Sequence, residues 1–252
     1  SGGTVADLAV ARVDGAGSRH LSLFWFDGTN WVARSGAKLD SGVLFFDRAK
    51  IGGRDRLLTC HAGRVNWIDP ETGQEKLLAQ LPEGYPLAVG EWLPQIDITP
   101  DLNQDGRDDL ALPNFDGFWI ALQAEDGSFP NLVKFGPPEP FQDRRVMSKS
   151  GKTYGEAGLT AESISWLLSR LRQMDANHDG RVDLVFWNQD HFDVHLQEAS
   201  GQFATAPERL ATAVPFDSDG GYSLAHGFKG VGPFRLLLGL RRKSEQTAFL
   251  GF

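Results

Sequence analysis

Short apolar segments, each opened by an aspartate, recur along the chain and predict β-strands. The opening aspartates are Asp7, Asp55, Asp109 and Asp183. A second apolar segment follows each of them, at 23–28, 65–69, 118–123 and 192–197. Apolar runs of about five residues, bounded by turn-forming residues, are typical of strands and too short for helices.

The spacing of these aspartates indicates one repeating unit. The intervals from Asp7 to Asp55, from Asp55 to Asp109 and from Asp109 to Asp183 are each long enough for one four-stranded blade of a β-propeller. Apolar residues at 234–240 and 248–250 predict a fifth, incomplete unit. We therefore expect an all-β fold, a β-propeller in which four to five blades are recognisable.

The whole chain, 1–252, is interpreted as a single propeller domain or a propeller fragment. It is either a small ring closed by pairing its two ends or a slice of a larger propeller, and the incomplete first and fifth units favour the slice. A non-repeat insertion is expected at about 139–172, within the longest of the three intervals. Its second half, 160–172, has apolar residues at helical spacing after Thr160, which predicts one short amphipathic helix.

Composition and charge argue against several folds and several classes of partner. The chain has 29 glycines and 13 prolines, which argues against a helical bundle. Its formal charge of −8 disfavours nucleic acid as a partner, because phosphate binding needs positive charge. No apolar run approaches the roughly 20 residues that a membrane-spanning helix needs. The single cysteine, Cys60, excludes an intrachain disulfide and is expected to be a buried strand residue.

A carboxylate-rich loop occurs twice, at matching positions of consecutive units. We call residues 101–109 the first Asp/Asn loop and residues 175–183 the second. The first contains Asp101, Asn103, Asp105, Arg107 and Asp109, and the second contains Asp175, Asn177, Asp179, Arg181 and Asp183. Side chains at positions one, three and five can converge on one point when the chain curls, and glycine at position six permits the curl.

Oxygen donors at this density suit Ca²⁺ better than zinc or copper, which favour histidine and cysteine. We predict two Ca²⁺ sites, one in each loop. Arg107 and Arg181, at position seven, would offer only their main-chain carbonyl oxygens. Asp109 and Asp183, at position nine, would close the two cages with a carboxylate.

The segment after each loop separates this pattern from an EF-hand. An EF-hand needs glutamate at position twelve and flanking helices, whereas this chain has Leu112 and Phe186 there and continues into a strand. In this respect the sequence resembles the FG-GAP/VCBS repeats of integrin-α-like β-propellers, whose signature is an Asp/Asn-rich calcium loop followed by Asp-Leu and a hydrophobic strand. The resemblance covers most of the chain and is sharpest at the two loops. It implies a calcium-stabilised module for adhesion, recognition or scaffolding.

The unit that begins near Asp47 departs from the loop pattern. It keeps Asp47, Gly52 and Asp55 but has Ala49 and Ile51 at two ligand positions. We expect no calcium in this unit.

Candidate ligand-binding residues lie outside the loops. The first half of the insertion is basic and glycine/serine-rich, so it is expected to be a mobile surface loop, and it is a candidate for docking an acidic partner or a polysaccharide. Trp31 and Phe115 lie near predicted turns, whereas Trp25, Trp67 and Trp119 recur within the repeats, as packing between blades would require. The candidates for a ligand surface are Arg144, Arg145, Lys149, Lys152 and Trp187.

These features favour binding over catalysis, although they leave two function classes open. The first is a binding, adhesion or scaffold module whose loop face holds a protein or glycan partner. The alternative is a lectin or a carbohydrate-active enzyme on the same propeller, but carboxylates such as Glu91 and Asp97 are too scattered to define its active site. Weak calcium sites of about 10⁻⁴–10⁻³ M suit extracellular modules, so we expect an extracellular, periplasmic or cell-surface protein.

Overall fold

Five antiparallel β-sheets make up the regular structure of the part of the chain that the structure describes. The computed structural model describes residues 7–84, 93–114, 117–136, 168, 170–188, 191–211, 221–224, 237–241 and 247–251. Every element of more than one residue within these ranges is a strand, and Leu168 alone among them has helical geometry. The predicted all-β class is therefore confirmed.

The first two sheets are meanders, in which strands adjacent in sequence are also adjacent in space. The first contains β1 (Asp7–Val13), β2 (Arg19–Phe26) and β3 (Trp31–Leu39). The second contains β4 (Phe45–Ile51), β5 (Arg54–Cys60), β6 (Arg64–Ile68) and β7 (Glu75–Gln80). Gly52 and Gly53 join β4 to β5 with φ of 56° and 73°, the left-handed region that a tight two-residue hairpin requires. A short turn thus stands where later units have an Asp/Asn loop.

The remaining three sheets repeat the meander order. The third contains β8 (Leu110–Asn114), β9 (Gly117–Ala121) and β10 (Val133–Phe135). The fourth contains β11 (Leu171–Met174), β12 (Asp183–Asn188), β13 (His191–His195) and β14 (Glu208–Ala211). The fifth contains β15 (Gly221–Leu224), β16 (Leu237–Arg241) and β17 (Thr247–Gly251).

The repeating strand pairs predicted from the aspartate pattern are confirmed. The apolar segments that follow Asp55, Asp109 and Asp183 lie in β5, β8 and β12. Their predicted partners lie in β6, β9 and β13, and each pair is antiparallel. One repeat of the sequence therefore corresponds to one sheet.

The helix predicted over 160–172 is wrong at its C-terminal end. Leu171 and Arg172 lie in β11 and pair with Phe186 and Val185 of β12. Strand pairing against a buried neighbour outweighs the helical spacing of a few leucines, because it satisfies the backbone and buries Leu171 at once. The rest of that predicted helix, apart from Leu168, and most of the predicted insertion lie outside the described residues.

Two apolar clusters hold the sheets together. The larger joins the second, third and fourth sheets, where the rings of Phe118 and Phe186 lie 5.4 Å apart. The smaller joins the first and second sheets around Leu21 and Val43. Each sheet in this series thus packs face to face on the next, which leaves the turns and loops at the sheet ends for other roles.

Candidate functional site

The first Asp/Asn loop leads into β8 of the third sheet, the second joins β11 to β12 of the fourth sheet, and the two loops share one backbone conformation. Gln104 and Gly106 have φ of 59° and 85°, and His178 and Gly180 have φ of 63° and 85°. Glycine adopts this left-handed region without the steric cost that a side chain brings. The sequence match between the loops is therefore also a match of backbone geometry.

In the first loop the side chains at positions one and three converge. One carboxylate oxygen of Asp101 accepts a hydrogen bond from the amide of Asp105 at 3.1 Å, and the other accepts from the amide of Gly106 at 3.0 Å. The side-chain oxygen of Asn103 accepts from that same Asp105 amide at 3.2 Å. Two side chains thus direct oxygens at one point inside the curl.

The second loop repeats these contacts atom for atom. Asp175 accepts from the amides of Asp179 and Gly180, each at 3.0 Å. Asn177 accepts from the Asp179 amide at 3.1 Å. These two segments of consecutive units have the same geometry because the same residues occupy positions one, three, five and six.

The aspartate at position nine lies beneath each loop. Asp109 is fully buried, and its two oxygens accept from the amides of Leu102 at 2.9 Å and Gln123 at 2.8 Å. Asp183 is equally buried and accepts from Ala176 at 2.9 Å and Gln197 at 2.8 Å. Each carboxylate therefore links its own loop to the turn that follows the second strand of the same repeat.

Burial raises the pKa of Asp109 to about 6, and the nearby charges of Asp105 and Asp101 act in the same direction. The two amide hydrogen bonds oppose this rise. A carboxylate held among others without a cation is a costly arrangement, because like charges repel and burial removes water. A cation in the loop would favour its ionised form.

The arginines at position seven do more than the sequence suggested. Arg107 donates from Nε to the carbonyl of Gln123 at 3.1 Å, and its guanidinium pairs with the carboxylate of Asp105. Arg181 donates from Nε to the carbonyl of Gln197 at 2.9 Å and pairs with Asp179. Each side chain therefore supplies an internal counter-charge to its loop. That the main-chain carbonyls of Arg107 and Arg181 bind calcium stays a prediction.

The donor chemistry of both loops fits a hard cation such as Ca²⁺, since every donor is an oxygen. Within the described ranges, no three His, Cys, Asp or Glu side chains are grouped closely enough to hold a metal ion. The carboxylates are instead directed at main-chain amides and at the arginines. A carboxylate oxygen keeps a second lone pair after accepting one hydrogen bond, so calcium binding at these residues stays a prediction.

Two glutamines, which the sequence analysis missed, link each unit to the one before it. The carboxamide of Gln123 donates to the carbonyls of Lys50 at 3.0 Å and Asp108 at 2.7 Å, and accepts from the amide of Gly52 at 2.9 Å. The carboxamide of Gln197 donates to the carbonyl of Asn103 at 3.0 Å. Both residues lie just after the second strand of their repeat, so their equivalent positions were a signal in the sequence.

A polar groove of about 460 Å³ lies between the first loop and the 198–202 turn of the next unit. Its wall offers guanidinium, carboxylate, carboxamide and hydroxyl groups with few apolar atoms. The polar residues of this wall include Asn103, Asp105, Arg107, Arg181, Glu198 and Ser200.

The structure describes few of the residues that were predicted to form a ligand surface. Arg144, Arg145, Lys149 and Lys152 lie outside the described residues, as does Phe115. Trp187 lies in β12, but its side chain is not among those described. Trp31 is exposed, and its ring lies 5.3 Å from that of Phe26.

The repeated tryptophans have different surroundings. Trp67 and Trp119 are half-buried and pack against the larger apolar cluster, as predicted for packing between units. Trp25, on the first sheet, is exposed. The packing prediction is therefore right for two of the three residues.

Cys60 lies in the core, as expected for a strand cysteine, and burial raises the pKa of its thiol. The neighbouring His61 is also buried, and its Nε2 lies 3.0 Å from the carboxylate oxygens of Glu75. A thiol that stays protonated is a poor nucleophile. His61 therefore makes a buried polar contact with Glu75 and does not form a nucleophilic pair with Cys60.

Comparison with known proteins adds little to this description. No protein-family model and no curated protein sequence matches the chain. A solved structure of a lectin from Agrocybe aegerita, described as recognising non-reducing terminal N-acetylglucosamine, is 12% identical with a TM-score of 0.44. The match covers 98% of this chain and 65% of the lectin chain, so the chain spans less than two thirds of that protein. A likeness this remote assigns no ligand here.

No helix within the described residues is long and apolar enough to cross a membrane.

Proposed function

We propose that the chain is a calcium-stabilised, extracytoplasmic β-propeller of FG-GAP/VCBS-like units that serves as a binding, adhesion or scaffold module for a protein partner. One observation carries this proposal. In consecutive meander sheets, the position-one aspartate of the loop accepts the same two amide hydrogen bonds, at 3.1 and 3.0 Å in the first Asp/Asn loop and at 3.0 Å for both in the second. Repetition of an entire loop geometry supports a single function for that loop.

Calcium is the cation that this function requires. Asp101, Asn103 and Asp105 supply hard oxygen donors within one curl. Burial, followed by the charges of Asp105 and Asp101, raises the pKa of Asp109, so a cation in the loop would favour the ionised form of this carboxyl. Binding to the folded state alone stabilises it, by about 1.4 kcal/mol per site when Ca²⁺ is at ten times its dissociation constant. Sites of about 10⁻⁴–10⁻³ M would be filled outside the cytosol, which supports the proposed location.

The binding role follows from how neighbouring units meet. Gln197 of the fourth unit contacts the first Asp/Asn loop directly, so loops of two sheets form one continuous surface. Surfaces composed of loops on a rigid scaffold are where binding residues concentrate. A protein partner would contact residues from several units at once.

Calorimetric titration of metal-free protein with CaCl₂ tests the proposal. We expect two sites, and a rise in melting temperature with CaCl₂ that EDTA reverses. The variant Asp105→Ala should lose one site and Asp179→Ala the other, whereas the control Asp55→Ala, in the second unit, should keep both. The calcium function is wrong if CaCl₂ produces no binding heat and shifts the melting temperature no more than MgCl₂ does.

Glycan binding is the second candidate, and the polar groove between the first loop and the 198–202 turn favours it. A groove of about 460 Å³ lined by hydroxyl, amide, carboxylate and guanidinium groups suits a hydroxyl-rich ligand. Ala199→Trp would fill the groove, and Glu125→Trp is the matched control, because Glu125 occupies the same turn position one unit earlier. A glycan array should lose signal with Ala199→Trp alone if the groove binds sugar. An array without signal would leave the protein-binding module as the function.

A further inference from the structure

The arginines at position seven of the two Asp/Asn loops line one cavity. Arg107 belongs to the first loop and Arg181 to the second, and both lie on the wall of the polar groove between the first loop and the 198–202 turn. Their side chains are 40% and 42% exposed, so solutes can reach both guanidinium groups. The groove therefore brings together two cationic groups from consecutive units.

Each of these guanidinium groups is held at two points. In the first loop, Nε of Arg107 donates to the main-chain carbonyl of Gln123 at 3.1 Å, and the terminal nitrogen Nη2 donates to the carboxylate of Asp105. Arg181 makes the equivalent two contacts in its own unit. A guanidinium has five N–H donors, so each arginine keeps donors that these contacts with the described residues do not use.

Calcium would remove only one of the two contacts. Asp105 is a predicted calcium ligand, and Ca²⁺ and a guanidinium repel each other when both approach one carboxylate. The main-chain carbonyl of Gln123 is not a predicted ligand, so the Nε contact keeps Arg107 on the groove wall. Calcium binding therefore releases the end of the guanidinium without removing the arginine from the groove.

The charge of the groove would change with calcium. The charged residues on its wall are Arg107, Arg181, Asp105 and Glu198, so their formal charges cancel while the loops hold no cation. Ca²⁺ would offset the charge of Asp105, whereas Glu198 is exposed and lies outside both loops. The groove would then have an excess of positive charge on a chain whose net charge is −8.

Resting on the proposed calcium function and on the glycan candidate, we propose that calcium binding converts the polar groove into a site for a sugar that carries a carboxylate, a uronic acid. The sugar carboxylate accepts hydrogen bonds from the released guanidinium groups of Arg107 and Arg181. Hydrogen bonds between a guanidinium and a carboxylate are stronger than those between neutral groups. Calcium and the sugar acid therefore favour each other's binding, and by linkage the effect is reciprocal.

The rest of the wall favours a sugar over an acidic protein segment. Protein partners are anchored mainly by aromatic and other large side chains that fill well-packed pockets, whereas this wall has few apolar atoms. Its hydroxyl and carboxamide groups, at Ser200 and Gln202, can pair with sugar hydroxyls.

NMR titration of the intact chain with methyl β-D-glucuronide tests this inference. Methyl β-D-glucoside is the matched probe, because it has a hydroxymethyl group where the glucuronide has its carboxylate. We expect the glucuronide to bind about tenfold more tightly in saturating CaCl₂ than in EDTA, and the glucoside to show no such gain. The glucuronide should in turn tighten calcium binding in calorimetric titration with CaCl₂.

Two groove variants and one control make the test specific. Arg181→Gln should weaken glucuronide binding in CaCl₂ about tenfold, because it removes one charged donor. Glu198→Gln should strengthen it, because it removes a like charge from the wall, so this variant keeps the test decisive should Arg181→Gln prove unstable in thermal unfolding. Arg48→Gln is the control, since Arg48 forms the same kind of ion pair with Asp55 but does not line the groove. All are compared at one CaCl₂ concentration, because a sugar carboxylate binds Ca²⁺ weakly by itself.

Each other result overturns the inference. Glucuronide that binds equally in CaCl₂ and EDTA, or that Arg181→Gln binds normally, would show that calcium releases no arginine for the ligand. Glucoside that binds as tightly as the glucuronide contradicts the role of the carboxylate. An acetylated Asp-Gly-Asp peptide that binds more tightly than the glucuronide would identify an acidic protein segment as the ligand. Calorimetry separates the two proposals, because two calcium sites without glucuronide binding refute this inference alone, whereas a chain that ignores CaCl₂ refutes the calcium function as well.

Discussion

The side-chain amide of Gln197 donates a hydrogen bond to the main-chain carbonyl of Asn103 at 3.0 Å, across the boundary between two sheets. Gln123 makes the equivalent link one unit earlier, to Lys50 and Gly52. Each glutamine lies just after a strand, and its main-chain amide donates a hydrogen bond to the buried aspartate of its own unit, Asp109 or Asp183. The fourth unit therefore holds the first Asp/Asn loop in place, and the third unit holds the turn at Gly52 of the second unit.

Replacing these glutamines by leucine, which is similar in volume, should destabilise the chain unequally. Gln197→Leu leaves one carbonyl without its partner, and we expect a loss of about 1 kcal/mol in the free energy of unfolding. Gln123→Leu removes three hydrogen bonds of a buried carboxamide, and we expect about 2–3 kcal/mol. Urea unfolding measures both. Equal losses would contradict the proposed difference between the two links.

The arginines at position seven should oppose calcium. Arg107 pairs with Asp105, a predicted calcium ligand, so Ca²⁺ must displace the guanidinium to use that oxygen. A partly exposed ion pair is worth up to about 1 kcal/mol, so Arg107→Ala should tighten one calcium site up to about fivefold while lowering the stability of the metal-free protein. Calorimetric titration measures the affinity. Arg48→Ala, which breaks a pair with Asp55 in the second unit, is the matched control and should leave both affinities unchanged.

The sequence predicted the repeat and the matching loops because both depend on local chemistry. Aspartate followed by apolar residues specifies a loop and a strand, and β5, β8 and β12 follow Asp55, Asp109 and Asp183 as expected. The contacts of Gln123 with Lys50 depend on how two sheets pack, so strand periodicity does not contain them. Leu171 has helical spacing to its neighbours but lies in β11, because pairing with Phe186 is a tertiary effect.

The glycines of two equivalent turns should differ in their tolerance of a side chain. Gly127 and Gly201 have φ of 83° and 82°, so alanine is strained by about 1 kcal/mol at either position. A Cβ at Gly127 would lie 2.8 Å from the main-chain nitrogen of Gly52, whereas at Gly201 its nearest contact is the Asn103 side chain at 3.7 Å. We therefore expect Gly127→Ala to cost about 1–3 kcal/mol more than Gly201→Ala in urea unfolding. If the two variants lose similar stability, the second and third units can move apart at Gly127 without a cost in the free energy of unfolding.

Asp47 should make stability depend on pH. It is buried in β4, where it accepts hydrogen bonds from the amide of Ile98 and the hydroxyl of Thr99. Burial raises its pKa to about 6, and the charge of Asp97 adds to the rise. A carboxyl whose pKa is higher in the folded state binds its proton more tightly there, so its contribution to stability is complete below the unfolded pKa of about 4 and is lost as the pH rises through about 6.

Asp47→Asn keeps an oxygen acceptor and cannot ionise, so it isolates this effect. The free energy of unfolding of the wild type, relative to Asp47→Asn, should fall by up to roughly 3 kcal/mol between about pH 4 and pH 6 and stay constant above that range. The other carboxyl groups titrate in both proteins and cancel in the difference. Urea unfolding at fixed CaCl₂ over this range measures it. A difference that is flat, or that rises with pH, would show that Asp47 is ionised in the folded protein and that its hydrogen bonds to Ile98 and Thr99 outweigh its burial.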